Sequence, residues 1–136
     1  MKERIGYRGK ELYCERVPVR KIVKAFGTPL YIYSQSAFTD QFARLTSAFK
    51  KVKPLICYSV KACSNLAILR LLVKQGAGLD IVSGGELFRA TKVNCPMDKV
   101  VFAGVGKTAA EIETAIRKNI LFFNVESEPE LKRINI

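Results

Sequence analysis

Four clusters of polar residues follow apolar runs in this chain, and each could carry chemistry: Ser59-Val-Lys61-Ala-Cys63, Asp80 with Ser83-Gly-Gly-Glu86, Gly104-Val-Gly-Lys-Thr108, and Asn124-Val-Glu-Ser127. Lys61 is the most distinctive. A lysine closing an apolar strand loses hydration, which favours the neutral, nucleophilic amine that adds to aldehydes as a Schiff base. A lysine in the same place can also extend its stem along apolar surface and keep its head in water, and position alone leaves both readings open. Asp80 lies inside an apolar run, where a carboxylate needs a cationic or hydrogen-bonded partner, and Lys61 is a candidate for that partner. Glu86 is already explained by the dipole of the helix it opens.

Other chemistries are excluded by what the sequence lacks. There is no histidine, so His-based triads and zinc-hydrolase schemes have no general base or ligand. The four cysteines, Cys14, Cys57, Cys63 and Cys95, contain no C-x-x-C pair, so no metal site is expected. Cys57 reads as a small core residue. The string Gly104 to Thr108 resembles the end of a nucleotide phosphate loop, but that motif needs glycine at position 101, where this chain has Val101. What remains there is a strand-to-helix turn whose N–H groups could at most accept a small anion.

The elements that must position these clusters alternate. Pro54–Val60, Gly78–Val82, Lys99–Ala103 and Ile120–Val125 are short apolar runs of the kind buried on both faces of a parallel sheet. Between them lie helical patterns. One spans about Ser64 to Gln75, capped by Ser64 or Asn65 and stopped by Gly76, and one runs from Ser83-Gly-Gly85 to about Lys92. A third opens at the capping box Thr108-Ala-Ala-Glu111, and Ser127-Glu-Pro-Glu130 repeats that grammar. Centred on Cys57, Ile81, Phe102 and Phe123, the strands recur every 21 to 24 residues, the rhythm of βα units. In parallel architectures the loops at the carboxyl ends of the strands gather the reactive groups, and all four clusters fall there.

Upstream, Pro29–Tyr33 reads as a further strand, and Phe38, Phe42, Leu45 and Phe49 mark an amphipathic helix over about 36–51 whose stripe is expected in the core. Residues 1–28 form a lead-in segment of another kind, with a short strand at Glu11–Cys14 and a helix at Val19–Phe26 closed by Gly27. The expected division is therefore 1–28 and 29–136.

The chain has 136 residues, 49% of them hydrophobic and 26% charged, enough apolar material for a core of ordinary size. No run approaches the roughly 18 apolar residues of a membrane span, and no apolar stretch near Met1 reads as a signal peptide, so a cytoplasmic protein with no membrane partner is expected. The net charge is +11, yet no block of like charge is interleaved with aromatic residues as nucleic-acid binders require. No nucleic-acid partner is expected. Eight of the 23 basic residues, against three acidic ones, sit in the first 24 positions. Successive βα units build either an open doubly wound sheet or a closed barrel. A (β/α)8 barrel needs about 250 residues, and Arg133-Ile-Asn-Ile136 has no stop signal, so the chain reads as part of a longer polypeptide.

Five strings, Gly27-Thr-Pro-Leu-Tyr-Ile-Tyr33, Tyr58-Ser-Val-Lys-Ala62, Gly78-Leu-Asp-Ile-Val-Ser-Gly-Gly-Glu-Leu87, Val101-Phe-Ala-Gly-Val-Gly-Lys-Thr108 and Phe123-Asn-Val-Glu-Ser-Glu-Pro-Glu-Leu131, closely resemble the diaminopimelate decarboxylases. The resemblance implies an α/β fold: the first part of a TIM-type (β/α)8 barrel with parallel strands, preceded by a segment that joins a C-terminal β-domain. It implies pyridoxal phosphate held as a Schiff base on Lys61, with Asp80 near lysine and cofactor, and Glu86 as a weaker carry-over. It implies conversion of meso-2,6-diaminopimelate to L-lysine and CO2 by a homodimer, and little activity from this chain alone. Cys63 departs from the asparagine usual at that position of the family. Ornithine or arginine decarboxylases of the same fold, and a non-catalytic basic binding module, are the alternatives.

Overall fold

The computed structural model describes residues 4–135, which form two compact units that part between Ala48 and Phe49. In the first, β1 (Ile5–Arg8), β2 (Glu11–Cys14) and β3 (Val17–Pro18) make a small antiparallel sheet in that order. Gly9 supplies the left-handed φ of 62° that the β1–β2 turn requires. Helix α1 (Val19–Phe26) ends at Gly27, as expected, and α2 covers Gln35–Ala48.

The division expected between 28 and 29 is not where the compact units part. The reason is local bonding: the Glu15 carboxylate accepts from Ser34 Oγ and Ser36 N, both at 2.7 Å, and Arg4 pairs with Asp40 at 2.7 Å. These bonds tie the lead-in to the start of α2. Residues 29–33 are not a strand, because no described segment offers them a ladder to pair with. Nor does the stripe of α2 enter a core. Phe38 and Phe42 are half-buried, Leu45 is exposed, and Phe49, also exposed, lies just past the end of the helix.

The second unit is the expected parallel α/β arrangement. Strands β4 (Cys57–Ser59), β5 (Gly78–Ile81), β6 (Val100–Phe102) and β7 (Phe122–Phe123) pair in chain order, all parallel. Helices α3 (Leu66–Lys74), α4 (Gly84–Lys92) and α5 (Ala109–Arg117) fill the crossovers, and α6 (Glu128–Ile134) follows β7. Leu69, Leu79, Ile81, Leu87, Val100 and Phe102 are almost fully buried and pack into one cluster between sheet and helices. Burial of each such side chain contributes about 1.5–3 kcal/mol.

One stop signal ends three helices. After α3, Gly76 N donates to Val73 O and Ala77 N to Leu72 O; after α4, Asn94 N donates to Thr91 O and Cys95 N to Ala90 O; after α5, Asn119 N donates to Ile116 O and Ile120 N to Ala115 O. This is the Schellman arrangement, with the turning residue in the left-handed region at φ of 97°, 55° and 54°. Glycine takes that conformation freely, and asparagine is among the few other residues that tolerate it.

Candidate functional site

The strand ends converge on one edge of the sheet, where the expected residues lie. Lys61 sits in a single 3-10 turn, Val60–Ala62, directly after β4. Val60 is fully buried in the core, so it anchors the turn while Lys61 beside it is exposed. The hydration loss expected for this lysine is therefore not seen, and the exposed-head reading describes its surroundings. Arg89 of α4 steadies the loop that follows by donating to Ser64 O at 3.1 Å, and Asn65 caps α3 by accepting from Ala67 N at 2.8 Å.

Asp80 is brought to the same edge. The ladder sets Ser59 opposite Asp80, and Leu79 and Ile81 on either side of Asp80 belong to the helix-facing core. Alternation along a strand then turns Asp80 to the other face of the sheet. Its Oδ1 is out of water and has no hydrogen-bond partner, and the same is true of Ser59 Oγ. The pairing of Asp80 with Lys61 that the sequence suggested does not form. Cys57, one step earlier on that face, is half-buried with its thiol pushed up by burial and, secondarily, by the Asp80 charge.

The remaining clusters build the turns. Ser83, Thr108 and Ser127 each accept from the N–H of the glutamate three residues on. Those glutamates reach back: Glu86 accepts from Val82 N at 2.8 Å, Glu111 from Thr108 N at 2.9 Å, and Glu130 from Glu126 N at 2.7 Å. Two also bind a neighbouring turn. Glu111 accepts from Gly84 N at 2.7 Å, the foremost of the bonds that hold its carboxyl below the usual range. Glu130, held low chiefly by Lys107, accepts from Lys107 Nζ at 2.7 Å.

Lys107 is the residue that sequence reasoning missed. Its side chain has no exposed surface, and Nζ also donates to Gly104 O at 2.7 Å and Asn124 O at 2.8 Å. Three oxygen acceptors match its three protons, so it is a structural tie rather than a free nucleophile. Its position before a capped helix gave no hint, since two partners lie 17 and 23 residues downstream.

In the first unit, a cleft of about 960 Å³ is lined by Arg4, Arg8, Glu15, Tyr33 and Asp40 among others, and holds none of the expected site residues. No helix among the described residues is long and apolar enough to cross a membrane.

Residues 35–136 match the family described as pyridoxal-dependent decarboxylase, pyridoxal binding domain. Among curated relatives, the diaminopimelate decarboxylase of Neisseria meningitidis serogroup A is 50% identical over 123 residues, covering 90% of this chain and 30% of that protein. That of Aquifex aeolicus is 46% identical over 131 residues, covering 96% and 31%. A crystal structure from Aquifex aeolicus superposes with a TM-score of 0.92 at 45% identity, covering 97% of this chain and 33% of that one. The diaminopimelate decarboxylase of M. jannaschii in co-complex with L-lysine gives 0.91 at 39% identity, covering 96% and 32%. The chain thus spans about a third of the length of the proteins it matches. The match over residues 35–136 and the identities of 46–50% to the curated relatives agree: this chain belongs to the pyridoxal-dependent decarboxylases, and its residues 35–136 fall in their pyridoxal binding domain.

Proposed function

We propose that this chain provides the cofactor-holding lysine of a diaminopimelate decarboxylase, which converts meso-2,6-diaminopimelate to L-lysine and CO2. The observation that carries the reading is the placement of Lys61 one turn beyond a strand whose last residue, Ser59, lies opposite Asp80, with a buried polar atom on each left unpartnered. Such atoms fit a polar ligand better than an apolar core. The donor set suits pyridoxal phosphate, which offers an aldehyde to an amine and polar ring substituents to hydrogen-bonding groups. Lys61 and Asp80 would hold it.

When bound, that cofactor supplies an electron sink for the charge left by a departing carboxylate. The chain's own residues position the amine and the turns around it. Lys61 presents its amine at an exposed position fixed by buried Val60, so the group is reachable while its base is immobile. Asp80 places a negative charge beside the strand end that carries Lys61, and the Glu86, Glu111 and Glu130 bonds hold the following turns in fixed positions. The names of the relatives support the amino-acid substrate. The same reading carries a homodimeric, cytoplasmic complete enzyme with it.

The test is chemical trapping. The purified chain, incubated with pyridoxal phosphate, reduced with borohydride and digested, should carry its adduct chiefly on the peptide containing Lys61. Labelling spread evenly over surface lysines, or cofactor retention unchanged in Lys61→Ala, would overturn the proposal.

A further inference from the structure

We propose that Ser59 is a positioning residue of the cofactor site, its hydroxyl forming with Asp80 a two-point polar pair that engages a ligand group carrying both a hydrogen-bond acceptor and a donor. The inference rests on the function proposed above and adds a residue to it.

The geometry is layered. Tyr58 and Val60 pack with the helix-facing core, so Ser59 between them points to the opposite face, as Asp80 does from between Leu79 and Ile81. Paired strands lie about 4.8 Å apart, which brings the two side chains together across the ladder. One step back on that face the packing is tight. A Cβ added at Gly78 would stand 2.3 Å from Lys99 O and 2.7 Å from Cys57 Sγ, and that thiol is itself 3.8 Å from the same carbonyl. The two polar groups therefore sit side by side on one face of the sheet, one step beyond the tight packing at Gly78, and Lys61 follows two residues after Ser59 on the same chain segment.

Neither group is satisfied from within. Ser59 Oγ and Asp80 Oδ1 are both sealed from water and unpartnered, although a hydroxyl can donate and a carboxylate can accept. A fold that used Ser59 only for structure would bond its hydroxyl to a neighbour, as Ser34, Ser83 and Ser127 are bonded here. An unmet donor facing an unmet acceptor suits a group that bridges them, and a hydroxyl substituent has both functions on one atom. Stability given up at a binding site in this way leaves a signature: removing the orphan group strengthens the free protein and weakens the complex.

The experiment measures both in Ser59→Ala, with Lys61→Ala as control. The denaturation midpoint of the free chain should rise by about 3 °C, and the dissociation constant for pyridoxal phosphate, from equilibrium dialysis, should increase roughly five- to tenfold. A midpoint that stays or falls would show the hydroxyl to be structural or already satisfied, and an affinity within twofold of the parent would show that the ligand does not use it. Either result overturns the inference while leaving Lys61 in place. A parent chain that binds no more tightly than Lys61→Ala overturns the proposed function, and this inference with it.

Discussion

Replacing Lys107 with methionine should destabilise the protein more than any surface ion-pair change, by an amount the geometry sets. The ammonium has no exposed surface and Glu130, its partner, is 10% exposed. Methionine fills the space of the stem but donates nothing, which leaves the Glu130 carboxylate without its cation and the carbonyls of Gly104 and Asn124 without their donor. Removing one partner of a buried pair costs about 3–5 kcal/mol. Because part of Glu130 can recover water, the lower figure applies: about 3 kcal/mol, or roughly two powers of ten in the folding constant. The internal control is Lys132, whose pair with Glu128 has both side chains about three-quarters exposed; Lys132→Met should cost about 0.3–0.5 kcal/mol. Urea denaturation followed by far-ultraviolet circular dichroism measures both, with Lys107→Met/Glu130→Gln completing a double-mutant cycle whose coupling should exceed about 1 kcal/mol. A loss below about 1 kcal/mol for Lys107→Met, or one no greater than that of Lys132→Met, would refute the reasoning that burial and threefold coordination make this lysine a tie.

Two further outcomes follow from the same turns and strands. Glu111 and Glu130 are held below the usual carboxylate range, so their contribution is complete above about pH 4.3 and is lost as pH falls through their lower folded values; the urea midpoint should decline on the acid side, Glu111→Gln should flatten that decline, and an unchanged acid limb in the variant would count against the assignment. Gly78→Ala forces a methyl against the backbone carbonyl of Lys99, which cannot swing away as a side chain could, and should cost about 2 kcal/mol or more in the same assay; a variant as stable as the parent would show that the strands separate more easily than their packing implies.

Much of the second unit was legible because its signals are local. The capping box at Thr108 and Glu111, the serine–glutamate spacing at Ser127 and Glu130, and Gly76 as a helix stop depend on residues within one turn of each other, and the structure has them as read. Asn94 and Asn119 do the work of Gly76 at the next two helix ends, yet asparagine is a weaker marker and neither was identified. Features set by distant partners were not legible. The run Pro29–Tyr33 has the composition of a strand but no described neighbour to pair with. The phenylalanines of α2 have helical spacing, but spacing cannot say whether a partner covers that face. Asp80 sits inside an apolar run and needs a partner, but which group supplies it depends on what the sheet brings alongside, and the placement of Ser59 opposite it is set by the register of two strands, 21 residues apart.

The glutamates at the helix starts have a mechanical consequence. Glu111 belongs to one turn and grips the backbone of the turn before it at Gly84; Glu130 belongs to the next and grips Lys107, which in turn grips carbonyls on both sides. The bonds run between neighbouring turns across the last three βα units, like rivets along a strip. A displacement that lifts one turn must therefore break a charge-assisted bond or drag the adjacent turn with it, so small deformations of this rim are collective. Rigidity that would otherwise have to be built separately into each loop is shared along the edge of the sheet.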